Sequence, residues 1–367
     1  MLRHKNKFTK ALSLMLALIF IVSAFSGCGG DKDNDEGTTK APQNDVVENN
    51  EPVDTTIRNP LTGEAGYDEA LLKNKPVVVV VENSPAARPQ WGLTSSDMVF
   101  EMVAEGGISR MLLVYSDLSR LPAKIGPVRS ARPYFIEITR GLGAAFIHFG
   151  GSAEAYSTLN SINISRMDGM ANDGTYFKRD ADRLAITARE HTAYTTNELA
   201  NDYFTKNNLD MNLDEKYTNL FSFNPEAQEL SGGKCSEISF LFSGSYKYKY
   251  TYNENDNLYY SQINEKDFVD SDGNQQYFSN VIILYTDIYL DASQKAKYNE
   301  DRMFIEFDGG KGVYASNGTY EDITWEKGDA TDSFKFYGAD GEELKLNIGK
   351  TYVGITDSDN ASSTVIA

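Results

Sequence analysis

The sequence predicts an α+β protein, an N-terminal mixed α/β domain followed by a β-rich C-terminal domain. Three observations carry that reading. Pro76-Val-Val-Val-Val-Val81 is an unbroken β-branched run, the pattern of a strand covered on both faces. Ten of the 13 arginines fall between Arg88 and Arg189, whereas 17 of the 22 tyrosines lie beyond residue 190, so the two halves do different work. Turn signals at Asp272-Gly273, Asp308-Gly309-Gly310, Asn317-Gly318 and Asp340-Gly341 cut the second half into strand-sized pieces.

In the first half, Met98–Val103 and Ser109–Tyr115 flank Glu105-Gly106-Gly107 and read as a hairpin. Ser130 is placed to cap a helix over 131–142, with Pro133 tolerated in its first turn. A further strand over 145–149 turns through Gly150-Gly151-Ser152 into a helix over 153–161, and Thr195 or Thr196 caps the helix NELANDYFTKN. Strands and helices mixed in this order give the α/β domain, 59–225. The breakers in NPEAQELSGGK mark the boundary. Beyond it, 226–367 carries period-two or short apolar runs at Glu237–Phe242, Tyr246–Tyr252, Val281–Tyr285 and Arg302–Phe307. Its tyrosines fit cross-strand pairs and Trp325 fits a core position.

The first 27 residues read as a lipoprotein signal. Arg3, Lys5, Lys7 and Lys10 precede the apolar run ALSLMLALIFIVSAF, and Ser26-Gly27 stand before Cys28, the thiol that would accept diacylglycerol. Residues 28–58 form an acidic tether. Residues 29–56 hold eight acidic and two basic side chains, with no hydrophobic period to order them. Cleavage before Cys28 leaves 31 basic against 53 acidic side chains, a net −22. Such a body does not suit nucleic acid, and the lipid alone must hold it to a membrane. With Cys28 acylated, Cys235 has no disulfide partner.

Arginine is a permanently charged planar fork matched to carboxylates and phosphates. Five stretches set it beside glycine, proline or a helix start: Ala87-Arg88-Pro89, Glu105 to Arg110, Gly126-Pro-Val-Arg129-Ser130-Ala-Arg132, Phe177-Lys-Arg179-Asp180 and Arg189-Glu190-His191. Anions are held at strand ends and helix N-termini, where N–H groups stand unpaired. The opposing reading is internal pairing, since residues 88–190 hold 12 basic and 11 acidic side chains. His148 ends an apolar strand before Gly-Gly-Ser, the side of an open sheet that contacts ligands. The histidines lack metal-site spacing, and Gly150-Gly151-Ser152 lacks the last glycine of a nucleophile elbow, so Ser152 reads as a cap. No metal and no cofactor are expected.

These residues resemble a known family. Asn59-Pro-Leu-Thr-Gly63, Ala87-Arg-Pro-Gln90, Glu105-Gly-Gly107 with Arg110, Gly126-Pro-Val-Arg-Ser-Ala-Arg-Pro133 and His148-Phe-Gly-Gly-Ser152 occur in the order of the YerB-like family of bacterial lipoproteins, known as domain of unknown function 3048. Asn280-Val281, Gly310-x-Gly312, Asn317-Gly318 and Ile323-Thr-Trp-Glu-Lys327 resemble its C-terminal part. Glu190-His191-Thr192 stand where the family tends to a Pro-His-Asn-like stretch. The resemblance implies a two-part, lipid-anchored envelope protein and carries no established reaction.

The expected function is therefore capture of an anionic envelope ligand, wall polymer or envelope protein in an arginine-lined cleft outside the cell membrane. Its expected residues are Arg88, Glu105, Arg110, Arg129, Ser130, Arg132, His148 and Ser152, with Cys28 as the lipidation site. Two alternatives stay open. One is a wall hydrolase using Glu101, Glu105 or Asp168 with His148. The other is a scaffold that recognises partners through its β-rich half.

Overall fold

Five valines in a row leave no polar face, and the strand they form, β1 (Val77–Glu82), is buried along its whole length. The computed structural model to which it belongs describes residues 55–367; the signal segment, Cys28 and nearly all of the tether lie outside the described residues. Side chains alternate across a strand. Val77, Val79 and Val81 therefore join one core while Val78 and Val80 join a second on the opposite face. Each valine so enclosed contributes about 2 kcal/mol.

β2 (Met98–Val103) and β3 (Ser109–Tyr115) form the expected antiparallel hairpin, with Met98 opposite Val114. Gly106 and Gly107, both at φ +71, make its turn, a conformation other residues adopt at a cost. β3 pairs with β1, and β1 runs parallel to β4 (Ala145–His148), which runs parallel to β5 (Arg166–Asp168). Helix α1 (Pro133–Gly141) precedes β4, and α2 (Ala153–Ser161) links β4 to β5.

Ser130 does not cap α1. The helix starts at Pro133, with Arg132 in the cap position and no side-chain cap bond. The backbone before it is held extended by Arg129 N to Val80 O (2.9 Å) and Ala131 N to Gly150 O (2.8 Å). Ser130 Oγ donates to Phe149 O at 3.1 Å instead. Ser152 does cap α2, accepting from Ala155 N at 3.2 Å. Two short helices follow, α3 (Gly169–Asn172) and α4 (Ala181–Leu184), and then α5 (Asn197–Lys206), capped by Thr196.

The second half is strand-rich, as expected for an α+β protein. β6 (Glu237–Ser243), β7 (Tyr246–Asn253) and β8 (Leu258–Ile263) form an antiparallel meander within a six-stranded sheet of the described residues. Next come β9 (Asn280–Thr286), α6 (Ala292–Tyr298), β10 (Gly310–Ser316), β11 (Thr319–Lys327), β12 (Phe334–Tyr337) and β13 (Thr351–Asp357). The main sheet has the order β12-β11-β10-β9-β13-β2-β3-β1-β4-β5. β13 runs parallel to both β9 and β2, with Met98 opposite Thr351 and Met102 opposite Ile355. One sheet thus passes through both halves, and Thr56–Ala367 form one compact unit.

The tyrosine-rich meander packs on one face of this sheet, bringing Tyr248 and Tyr250 against Tyr352 and Phe240. Glu101 of β2 is buried beneath these rings. Its Oε1 accepts from Ser109 Oγ (2.5 Å), Asn83 Nδ2 (2.7 Å) and Tyr248 OH (2.7 Å), and its Oε2 accepts from Tyr352 OH (3.0 Å). Helices α1 and α2 cover the opposite face, where Phe135 and Phe146 share a core with Trp325.

Candidate functional site

β1, β4 and β5 run in the same direction and end at Glu82, His148 and Asp168. Carboxyl ends of parallel strands are where open sheets hold ligands. A hollow of about 440 Å³ lies there, lined by Val128–Ser130, Phe149–Gly151, Tyr156, Met170, Arg179, Arg189 and Glu190. Gly150 sits at φ +77, and a Cβ on it would come within 3.4 Å of Ser130 Oγ and Met170. Asp168 fixes the turn that makes this wall, accepting from Gly150 N (3.0 Å), Met170 N (2.9 Å) and Tyr156 OH (2.8 Å).

Three guanidinium groups from separate stretches share the hollow. Arg129 Nε lies 3.4 Å from Glu82 Oε2 without a hydrogen bond, its Nη1 donates to Glu190 O (3.3 Å), and its Nη2 is 3.7 Å from Glu190 Oε1. Glu82 is buried and also meets His191 Nδ1 at 2.9 Å and Ser84 Oγ at 2.9 Å. Arg179 lies over the Phe149 ring at 4.4 Å, donates to Asp173 and ties Arg189 O at 2.8 Å. Arg189 donates to Asp173 Oδ2 at 2.9 Å, and its side chain is 65% exposed. Partial burial would raise the Asp173 carboxyl, but the Arg179 and Arg189 bonds outweigh it and lower it. Each guanidinium has five N–H donors. Arg129 and Arg189 each use one in a hydrogen bond among the described residues.

A second arginine group stands beside the first. Arg132 grips Glu105 by Nε–Oε1 and Nη2–Oε2, both 2.6 Å. Arg110 Nη2 lies 3.9 Å and Arg302 Nε 3.8 Å from the same carboxylate. Burial alone would raise the Glu105 carboxyl, but the Arg132 bonds and the three positive charges hold it at about 2. Burial and the neighbouring Arg132 charge push Arg110 down to about 10. Arg110 Nη1 also donates to Ser130 O at 3.1 Å, which ties this buried group to the wall of the hollow.

Of the residues expected from sequence, Arg129 and Ser130 line the hollow, while Glu105, Arg110 and Arg132 form the ion cluster behind it. Arg88 lies elsewhere, bonded to Asn83 and set over the Tyr246 and Phe268 rings. His148 has no exposed surface; its Nδ1 donates to Gly150 O at 2.8 Å, and burial lowers its pKa. Ser152 is engaged as the α2 cap. Arg179 and Arg189 belong to arginine stretches visible in the sequence, and spacing gave no sign that they would join Arg129. Glu82 had no signal, because it ends a run that reads as pure core. Another hollow, about 700 Å³, has acidic walls at Asp287, Glu306, Asp308 and Asp322. Among the described residues no helix is long and apolar enough to cross a membrane, and no three His, Cys, Asp or Glu are grouped to hold a metal.

With this geometry in place, the chain can be set beside known proteins. Residues 61–210 match the N-terminal domain, and 237–353 the C-terminal domain, of the family described as Protein of unknown function (DUF3048). A Bacillus subtilis (strain 168) protein named "Putative lipoprotein YerB" is 40% identical over 140 residues, 38% of this chain and 40% of that protein. The aligned stretch thus spans two fifths of that relative's length. The crystal structure of YerB protein from Bacillus subtilis matches with a TM-score of 0.71 at 26% identity, covering 85% of this chain and 99% of that one. The chain belongs to the DUF3048 family of proteins of unknown function.

Proposed function

We propose that the chain is an extracytoplasmic binding protein, lipid-anchored through Cys28, whose hollow at Arg129, Arg179 and Arg189 captures an anionic envelope ligand or partner. One observation carries the reading. On a chain of net charge −18, three arginines from three stretches line one hollow, and the mostly exposed Arg189 uses one of its five donors in a hydrogen bond among the described residues. A phosphate or carboxylate fits those forks. The Arg132–Glu105–Arg110 cluster then serves as the rigid back of the site, holding Ser130 in place. Lipid attachment is supported by the residues before Cys28 and by the name of the Bacillus relative. The hydrolase reading has less support, because Glu101 is enclosed by four donors and Glu105 is clamped by arginine.

Two experiments test the proposal. Cys28→Ala should abolish incorporation of labelled palmitate into the full chain, and a variant that still takes up the label contradicts the lipid anchor at Cys28. In calorimetric titration, residues 56–367, the compact unit that holds every contact of the site, should bind ethyl phosphate. Arg189→Ala should weaken that binding about tenfold while leaving the unfolding midpoint in place, because its side chain is mostly exposed. Equal affinity in both proteins contradicts the site.

A further inference from the structure

The hollow is not lined by charge alone. Beneath and beside the three guanidinium groups stand the Phe149 ring, the Tyr156 ring and the Met170 side chain, so an anion entering it meets apolar surface on the same visit. Met170 is 66% exposed. Among the described residues five large hydrophobic side chains are exposed, and three of them, Met170, Leu184 (41%) and Ile186 (85%), lie in one 17-residue segment. That segment is tied to the hollow. Arg179 and Arg189 both line it, and the chain between them leaves and returns at its rim, closed by Arg179 Nη1 to Arg189 O (2.8 Å) and Asp180 N to Thr192 O (2.9 Å).

The excursion is firmly built, so its apolar tip is held out and is not merely loose. Arg183 donates to Ala87 O (2.7 Å) and to Pro89 O, and its guanidinium lies 3.7 Å from the Trp91 ring centroid. The amides of Ile186 and Thr187 both bond back to Arg183 O, at 3.0 and 2.9 Å. An exposed methionine and two aromatic rings lining a cationic hollow mark a surface that suits both kinds of contact.

We infer that the ligand of this hollow is an anionic amphiphile: a phosphate or carboxylate head held by Arg129 and Arg189, with an alkyl chain lying against Phe149, Tyr156 and Met170. This rests on the anion-binding reading above and adds the chemical class of the ligand. Each methylene fully removed from water raises affinity about fourfold, and an open apolar strip covers only part of a chain.

The test compares octyl phosphate, kept below its micellar concentration, with ethyl phosphate on residues 56–367. Octyl phosphate should bind about tenfold more tightly. Met170→Ser should lose that gain, bringing the affinities for the two phosphates within twofold of each other. Equal binding of both phosphates by the parent overturns this inference and leaves the anion site standing. Binding of neither phosphate removes the anion site itself. A tenfold gain that survives in Met170→Ser puts the tail elsewhere and overturns the path proposed. Adsorption to phosphatidylglycerol vesicles without binding of monomeric octyl phosphate also overturns it, because it would make the apolar tip a bilayer contact.

Discussion

Arg132 and Glu105 meet through two parallel hydrogen bonds of 2.6 Å each, and this pair settles how the neighbouring arginines are used. It commits Arg132 to the protein itself and leaves Arg129, three residues earlier, to face the hollow. The Glu105 carboxyl sits at about 2 in the folded chain, below its usual 4.5. A depressed acid stabilises the fold above its unfolded value, and that stability drains as pH falls toward the folded one. The shift corresponds to about 3 kcal/mol. Urea unfolding should therefore show the parent losing stability between pH 4.5 and pH 2. Glu105→Gln should be weaker at pH 6 and should lose much of that slope. An unchanged slope in the variant would show that Glu105 is not the group responsible.

Among the described residues Glu190 is the one acidic side chain lining the hollow, 59% exposed and 3.7 Å from both Arg129 Nη2 and His191 Nε2. It competes with any incoming anion for Arg129. Glu190→Ala should tighten ethyl phosphate binding about threefold to tenfold, read by calorimetry, with little change in the unfolding midpoint. Weaker binding in this variant would mean that Glu190 holds the ligand rather than excludes it.

The parallel pairing of β2 with β13 places the last long strand of the chain next to one of the first. Neither half can release its edge of the sheet without opening the other. Thermal unfolding of residues 56–367 should follow a single cooperative transition, seen alike by tyrosine fluorescence and far-ultraviolet dichroism. Two resolved transitions would instead favour two independently folding domains, 59–225 and 226–367.

Glu101 lies at that same junction, its four donors drawn from both halves. Burial raises its pKa, and removing it leaves Asn83, Ser109, Tyr248 and Tyr352 facing an empty space. Glu101→Ala should destabilise the protein by about 3 kcal/mol or more, measured by denaturant unfolding. A change below about 1 kcal/mol would show that water replaces the carboxylate at no great cost.

Much of the fold was legible because local signals agreed with one another. The valine run, the Glu105-Gly106-Gly107 hairpin turn, and the Ser152 and Thr196 caps each follow from residues close together in sequence. The β2–β13 pairing was not legible, since parallel neighbours 253 residues apart leave no mark on either strand. Ser130 misled for a physical reason. A serine before Pro133 looks like a cap, yet backbone bonds to Val80 and Gly150 hold it extended, outside the helix. In the site, the arginine-rich loops were visible, but which arginines are neutralised depends on carboxylates distant in sequence. Glu105 lies 27 residues from Arg132, and Arg302 arrives from the other half. His148 read as a ligand contact from its place at a strand end, and the packing of Phe146 and Tyr156 around it closes it off from solvent.

The most direct test of the central claim is to follow the arginine Nε–H resonances of residues 56–367 by nuclear magnetic resonance during titration with ethyl phosphate. Arg129 Nε is buried 3.4 Å from Glu82 Oε2 without a hydrogen bond, so an anion that draws on the Nη groups of the same guanidinium should shift its signal. The account predicts saturable shifts at Arg129, Arg179 and Arg189 with one shared affinity, while Arg88 and Arg120 stay in place. Unmoved signals at those three residues, or equal drift of every arginine, would contradict it.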